Sequence, residues 1–162
     1  MAASALSTPV AKIGNYEYYV IGPDRTTYFL VIRNYIPAEQ TAQIMQYYKS
    51  LSGWHQPTWK RGTNEGLSPR LSLFVGDEDT KVHKYSGVDH EIHSWDPVSK
   101  QLRDRIVSEL QIYFDAALLN WYRDGEDYIA KHRDKEAIHG ENQTVVGISF
   151  GGTRRFQLIP EK

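Results

Sequence analysis

The sequence predicts an α+β domain in which two helices buttress a sheet. Three observations predict it. Two segments N-terminal to Asp115 carry apolar residues at helical spacing. The segments after Asp115 are short, β-branched and aromatic, and Gly, Asp and Asn turns separate them. At 162 residues the chain has room for one core and is short for two.

Each element follows in order. The start, "MAASALSTPVAKIG", is rich in small residues and has no basic cluster before an apolar block, so residues 1–26 are expected to be a flexible segment and not a signal peptide. Residues 27–162 are expected to form the single domain. "TYFLVIRNYI", from Thr27, reads as a strand. Pro37 suits the first turn of a helix, and Thr41, Ile44, Met45, Tyr48 and Leu51 line one face of "PAEQTAQIMQYYKSL". "SGWHQPTWKRGTNEGLSPR" reads as a loop because turn formers recur at short intervals. "RLSLFVGD" alternates Leu71, Leu73 and Val75 against Ser72 and Phe74, the pattern of a half-buried strand. Asp96 and Pro97 make an N-cap and first helical residue, followed by Val98, Leu102, Ile106, Leu110 and Phe114 on one face. "AALLNWY", "DYIAKH", "TVVGISFGG" and "RRFQLIP" read as strands.

Composition narrows the chemistry. The absence of cysteine removes disulfides, zinc–thiolate sites and thiol nucleophiles together, so a metal must rest on His, Asp and Glu. It also makes a reducing intracellular compartment, nucleus or cytoplasm, the expected location. No apolar run approaches the ~20 residues that cross a bilayer, so no membrane partner is expected. A net charge of −1 gives no bulk support for gripping a polyanion, leaving Lys60-Arg61 and Arg154-Arg155 as local basic patches. Trp54 and Trp59 beside Lys60 and Arg61 suit base stacking, and equally suit a loop packed over a core.

His132 and Asp134 are the chemistry-bearing pair. On a strand, residues two apart share a face. An imidazole and a carboxylate so placed supply two corners of the 2-His-1-carboxylate face that holds non-haem Fe(II). Alone, the pair is also the pattern of a surface histidine beside an acid. A rival pair, His90 and His93 in "DHEIHSWD", has helical ligand spacing but precedes an N-cap and reads as a loop.

The blocks "SPR", "FVGD", "YSG", "NWYRDGEDYIAKHRDKE" and "ISFGGTRRF" occur in the order seen in a known family. The chain resembles the AlkB-like Fe(II)/2-oxoglutarate-dependent dioxygenases, and within them the branch that removes alkyl lesions from nucleic-acid bases. The resemblance implies a double-stranded β-helix, or jelly roll, buttressed by two helices. It implies Fe(II) held by His132 and Asp134, and 2-oxoglutarate held by Asn120 and Tyr122. It implies alkylated DNA or RNA as partner, with Arg70, Glu136 and Arg154 toward base or phosphate; Trp59, from its place beside Lys60 and Arg61, is added as a stacking candidate. Two features depart from the family. Val75 stands where an aromatic often precedes "GD". The second iron histidine and the arginine that clamps 2-oxoglutarate are expected on later strands, and only His139 follows Asp134 here, so the chain is expected to lack the C-terminal strands and to self-associate through unpaired sheet edges. A catalytically dead nucleic-acid-binding fragment, or a same-fold dioxygenase acting on protein or a small molecule, stays open beside the repair reading.

Overall fold

The computed structural model describes residues 9–21, 27–80, 84–85, 88–132 and 144–158. The chain divides into two compact units, Met1–Lys49 with Ile148–Lys162, and Ser50–Gly147.

In the first unit, β1 (Ala11–Ile13), β2 (Tyr16–Ile21) and β3 (Thr27–Ile32) pair antiparallel in the order β1-β2-β3. This corrects the expectation for residues 1–26, since β1 and β2 lie within the segment expected to be flexible. The reason is the alternation in "YEYYVI": Glu17 and Tyr19 are buried while Tyr16 and Tyr18 face out. A buried carboxylate needs partners. Glu17 accepts from Lys12 Nζ at 3.2 Å, Tyr19 Oη at 3.0 Å and Arg33 Nε at 3.1 Å. Lys12, then Arg33 and Tyr19, hold its carboxyl below the usual range.

Helix α1 (Ala38–Ser50) begins one residue after Pro37, whose carbonyl accepts from the Gln40 and Thr41 amides. In the same unit Phe156 stacks on Phe29 with ring centroids 6.2 Å apart, and Phe150 packs on Tyr48 at 6.1 Å. Residues 144–158, expected to supply two strands, take part in no strand among the described residues. Their β-branched and aromatic composition is a preference for a pleated surface, and without a ladder partner it does not make a strand.

The second unit holds β4 (Thr58–Arg61), β5 (Asn64–Leu67), β6 (Leu71–Gly76), β7 (Lys84–Tyr85), β8 (Val88–Asp89), β9 (Ile92–Ser94), α2 (Pro97–Leu110) and β10 (Ala116–Trp121). β4 and β5 form a hairpin where a loop was expected. Its two-residue turn, Gly62-Thr63, has φ +62° at Gly62, the conformation a II′ turn requires at its first central position.

The core is β6. It lies between β10, antiparallel, and β9, parallel. As a central strand it is covered on both faces, so Ser72, Leu73, Phe74 and Val75 are all buried and the half-buried expectation fails. Helix α2 starts as expected: the Asp96 carboxylate accepts from the Val98 and Ser99 amides, both at 3.0 Å. It ends at Leu110, where Gln111 turns into the left-handed region (φ +56°), so Phe114 is not on its face. Asp77, at the end of β6, accepts from Trp95 Nε1 at 2.8 Å, from Arg103 Nη1 at 3.3 Å and from the Tyr113 hydroxyl. Arg103 lies over the Trp95 ring at 4.9 Å, so one charged cluster ties α2 to the sheet. The α+β class is as expected. No helix among the described residues is long and apolar enough to cross a membrane.

Candidate co-substrate and metal site

Asn120 sits on β10 directly opposite Ser72 of β6. Its side-chain oxygen accepts two hydrogen bonds, from Arg70 Nε at 2.8 Å and from Ser72 Oγ at 3.0 Å. Both donors are buried; Arg70 is 5% exposed and Ser72 1%. An amide oxygen has two lone pairs, and both are taken. What the Asn120 carboxamide has left to present is its NH₂, a donor matched to a carboxylate or keto oxygen. Tyr122 follows the last paired residue of β10, Trp121, and is half-buried. Trp121 packs edge-on against Trp54 at 5.6 Å, which fixes the end of the strand.

The segment leading to His132 is anchored by a turn. Asp127, buried, accepts from Arg123 Nε at 2.8 Å, Arg123 Nη2 at 2.9 Å and the Arg123 amide at 2.9 Å. Asp124 caps the Glu126 and Asp127 amides. The Tyr128 amide then donates to the Pro69 carbonyl at 2.9 Å, tying this turn to the residue before Arg70. Among the described residues, 127–132 form no strand, contrary to expectation.

His132 is exposed, with Nδ1 2.8 Å from the Ala130 carbonyl oxygen. A carbonyl only accepts, so Nδ1 carries the proton, and in the neutral ring Nε2 is the basic nitrogen. Histidines that bind metals are commonly held in this way, by a hydrogen bond from the other ring nitrogen. Asp134, Glu136, His139 and His83 lie outside the described residues. Among the described residues no three His, Asp or Glu side chains could together hold a metal. Of the rival histidines, His90 has its ring 4.6 Å from Phe74 and 5.8 Å from His55, and His93 lies on β9 where a loop was expected; both line a cavity with Asp77, Glu78 and Glu91.

The remaining candidates are distributed differently. Arg70 is interior and bonded to Asn120, whereas Trp59 is on the exposed hairpin, 37% exposed. Gly66 faces Trp59 across the hairpin, and a Cβ there would come within 2.9 Å of the indole, so the ring packs closely against the glycine. Arg154 is exposed and belongs to the other unit. Sequence reasoning missed Ser72. The available signal was a hydroxyl in the middle of the apolar run "LSLFV", but its partner, Asn120, is 48 residues away.

The donors beside Asn120 suit an acceptor-rich ligand, and His132 carries its proton on Nδ1. A family profile described as the 2OG-Fe(II) oxygenase superfamily matches residues 28–162. A protein named DNA oxidative demethylase ALKBH2 from Arabidopsis thaliana is 31% identical over 136 residues, covering 82% of this chain and 43% of the relative. One named alpha-ketoglutarate-dependent dioxygenase alkB homolog 3 from Homo sapiens is 31% identical over 150 residues, 92% of this chain and 51% of the relative. The chain thus spans about half the length of these relatives, or less. Extending over nearly all of the domain and carrying the family's blocks in order, the match leads to one conclusion: the chain belongs to the 2OG-Fe(II) oxygenase superfamily, whose fold is the jelly roll and whose cofactor and co-substrate are Fe(II) and 2-oxoglutarate.

Proposed function

We propose that the protein is a dioxygenase that removes alkyl groups from DNA or RNA bases. The observation that carries the reading is the Asn120 carboxamide, whose oxygen accepts from Arg70 and Ser72 and so leaves the NH₂ as the group with which it can bind a ligand. The names of the relatives support the substrate class, since the plant protein is called a DNA oxidative demethylase.

In this reading His132, through Nε2, and Asp134 hold the ferrous ion, and Asn120 and Tyr122 hold 2-oxoglutarate. When bound, iron and 2-oxoglutarate together with O₂ supply oxidation of the N-linked alkyl carbon, which then leaves as an aldehyde. The chain's own residues bind and orient. Asn120 donates to a co-substrate oxygen. The Arg123–Asp127 turn keeps the His132 segment in place. A base in a duplex cannot reach such a site, so it must be flipped out or taken from a single strand. Trp59 offers a face on which a base can stack, Lys60 lies next to it for phosphate, and Glu136 is assigned to the base. Arg154, in the other unit, is a separate candidate for phosphate. Ferrous iron and a nucleic-acid substrate both belong to a reducing intracellular compartment. The reading includes self-association, for which β1 and β3 are edges with no outer partner among the described residues.

Incubation with Fe(II), 2-oxoglutarate and an oligonucleotide carrying N-methylated bases should yield succinate and the unmodified base, and His132→Ala should abolish both. Succinate formed equally with peptide extracts and not with the oligonucleotide would sink the substrate assignment. Wild-type turnover unaffected by His132→Ala would sink the metal assignment.

A further inference from the structure

We propose that Arg70 and Ser72 are positioning residues that lock the Asn120 carboxamide as a donor toward the co-substrate. This rests on the reading of Asn120 as a 2-oxoglutarate contact and adds what fixes its direction.

An asparagine amide can be turned by half a rotation, exchanging its oxygen and nitrogen with little change of shape. Ser72 alone would not prevent this, because a hydroxyl both donates and accepts. Arg70 would. Its guanidinium has only donors, and its Nε is 2.8 Å from the Asn120 oxygen. A flipped amide would set N–H against N–H at that distance and leave a buried guanidinium nitrogen unsatisfied. Ser72 Oγ, 3.0 Å away, occupies the second lone pair and removes the remaining acceptor capacity. The result is a group that can only donate, with a nearly buried positive charge directly behind it. Such an arrangement selects a ligand made of acceptors and negative charge, a 2-oxo acid, and disfavours amines and alcohols. The register makes this geometry: Asn120 pairs with Ser72, and Arg70 immediately precedes β6.

A purely structural role for the same contacts predicts different behaviour, and Asn120→Asp separates the two. A carboxylate at 120 accepts from Arg70 and Ser72 at least as well, so folding is retained. It has no donor and repels a carboxylate ligand, so 2-oxoglutarate binding is lost. Arg70→Lys keeps a donor-only cation and should retain binding. Arg70→Gln introduces a group able to accept, releases the flip and should raise the dissociation constant about tenfold, the equivalent of ~1.4 kcal/mol. Ser72→Ala is a second, milder variant should Arg70→Gln fail to fold, with an expected loss of about threefold.

The experiment is titration of the ¹⁵N-labelled protein with 2-oxoglutarate in the presence of diamagnetic Zn(II), following the Asn120 side-chain NH₂ signals, with thermal unfolding recorded for every variant. The expected result is a wild-type Asn120 signal that moves on titration. Binding is weakened in Arg70→Gln and Ser72→Ala, kept in Arg70→Lys, and absent in a folded Asn120→Asp. Wild-type affinity with an unaltered Asn120 shift in Ser72→Ala and Arg70→Gln would overturn the positioning role and leave the co-substrate site standing. A wild-type Asn120 signal indifferent to saturating 2-oxoglutarate would overturn the site itself, and it would be seen before any substitution was made.

Discussion

Replacing Trp59 with alanine isolates the stacking surface from the charged surface of the hairpin. The indole packs against Gly66 across the hairpin, and Trp59 is 37% exposed, so part of the ring is open to solvent. Stacking of a base on an aromatic side chain contributes ~1–3 kcal/mol, and a partly covered ring places Trp59 in the lower part, ~1–2 kcal/mol. Trp59→Ala should therefore weaken binding of a methylated single-stranded oligonucleotide by roughly five- to thirtyfold. Gly66→Ala should act in the same direction with Trp59 still present, because the new Cβ would meet the indole at 2.9 Å and push it aside. Neither change touches a charge, so the dependence of affinity on salt should stay the same. Lys60→Ala should instead lower the salt slope by about 0.7, the value for one phosphate contact on a single strand. Its pairing with Glu65 is long, 3.6 Å, and exposed on both sides, and so a weak competitor for phosphate. Fluorescence anisotropy at several salt concentrations reads both quantities. Unchanged affinity in Trp59→Ala, with the salt slope also unchanged, would refute stacking on the hairpin.

Three other outcomes follow from the fold and the proposed function. Asp96→Ala removes the acceptor of two helix-end amides and should cost about 1 kcal/mol, lowering the unfolding midpoint by ~2–4 °C in a circular-dichroism melt; an unchanged midpoint would mean water replaces the cap without loss. Tyr113, then Trp95 and Arg103, hold the Asp77 carboxyl below its usual 3.8, so its contribution is present above that pH and is lost as pH falls through the lower folded value. Urea unfolding from pH 6 down to about 2.5 should show an acid loss of stability that is smaller in Asp77→Asn; parallel losses in the two proteins would refute this. Tyr28, Val145 and Phe156 are 79%, 71% and 77% exposed, and with β1 and β3 as edges lacking an outer partner among the described residues they should drive concentration-dependent association in sedimentation velocity. A single monomeric boundary at all concentrations would overturn that expectation.

The two helices were legible from sequence because their signals are local. Pro37 and the Asp96-Pro97 pair act on amides within four residues, and the structure starts both helices where those residues require. "NWYRDGEDYIAKHRDKE" marks the family for a different reason: it is a block whose members are close in sequence. The hairpin of β4 and β5 was hidden by its own turn formers, which read as a loop until the two arms are seen to pair. Strands expected at 127–132 and 144–158 were read from composition alone, and composition supplies no partner.

By itself, then, the sequence determined the helix starts, the α+β class, the family's blocks and the candidate ligands His132, Asp134, Asn120 and Tyr122. Tertiary structure alone decided that β6 is buried on both faces, that Glu17 is interior, and that Arg70 and Ser72 stand behind Asn120. The physical reason is range. Caps and helical faces are settled by neighbours a few positions apart, whereas strand register joins residues about fifty positions apart, and only that register turns a serine and an arginine into the supports of one amide.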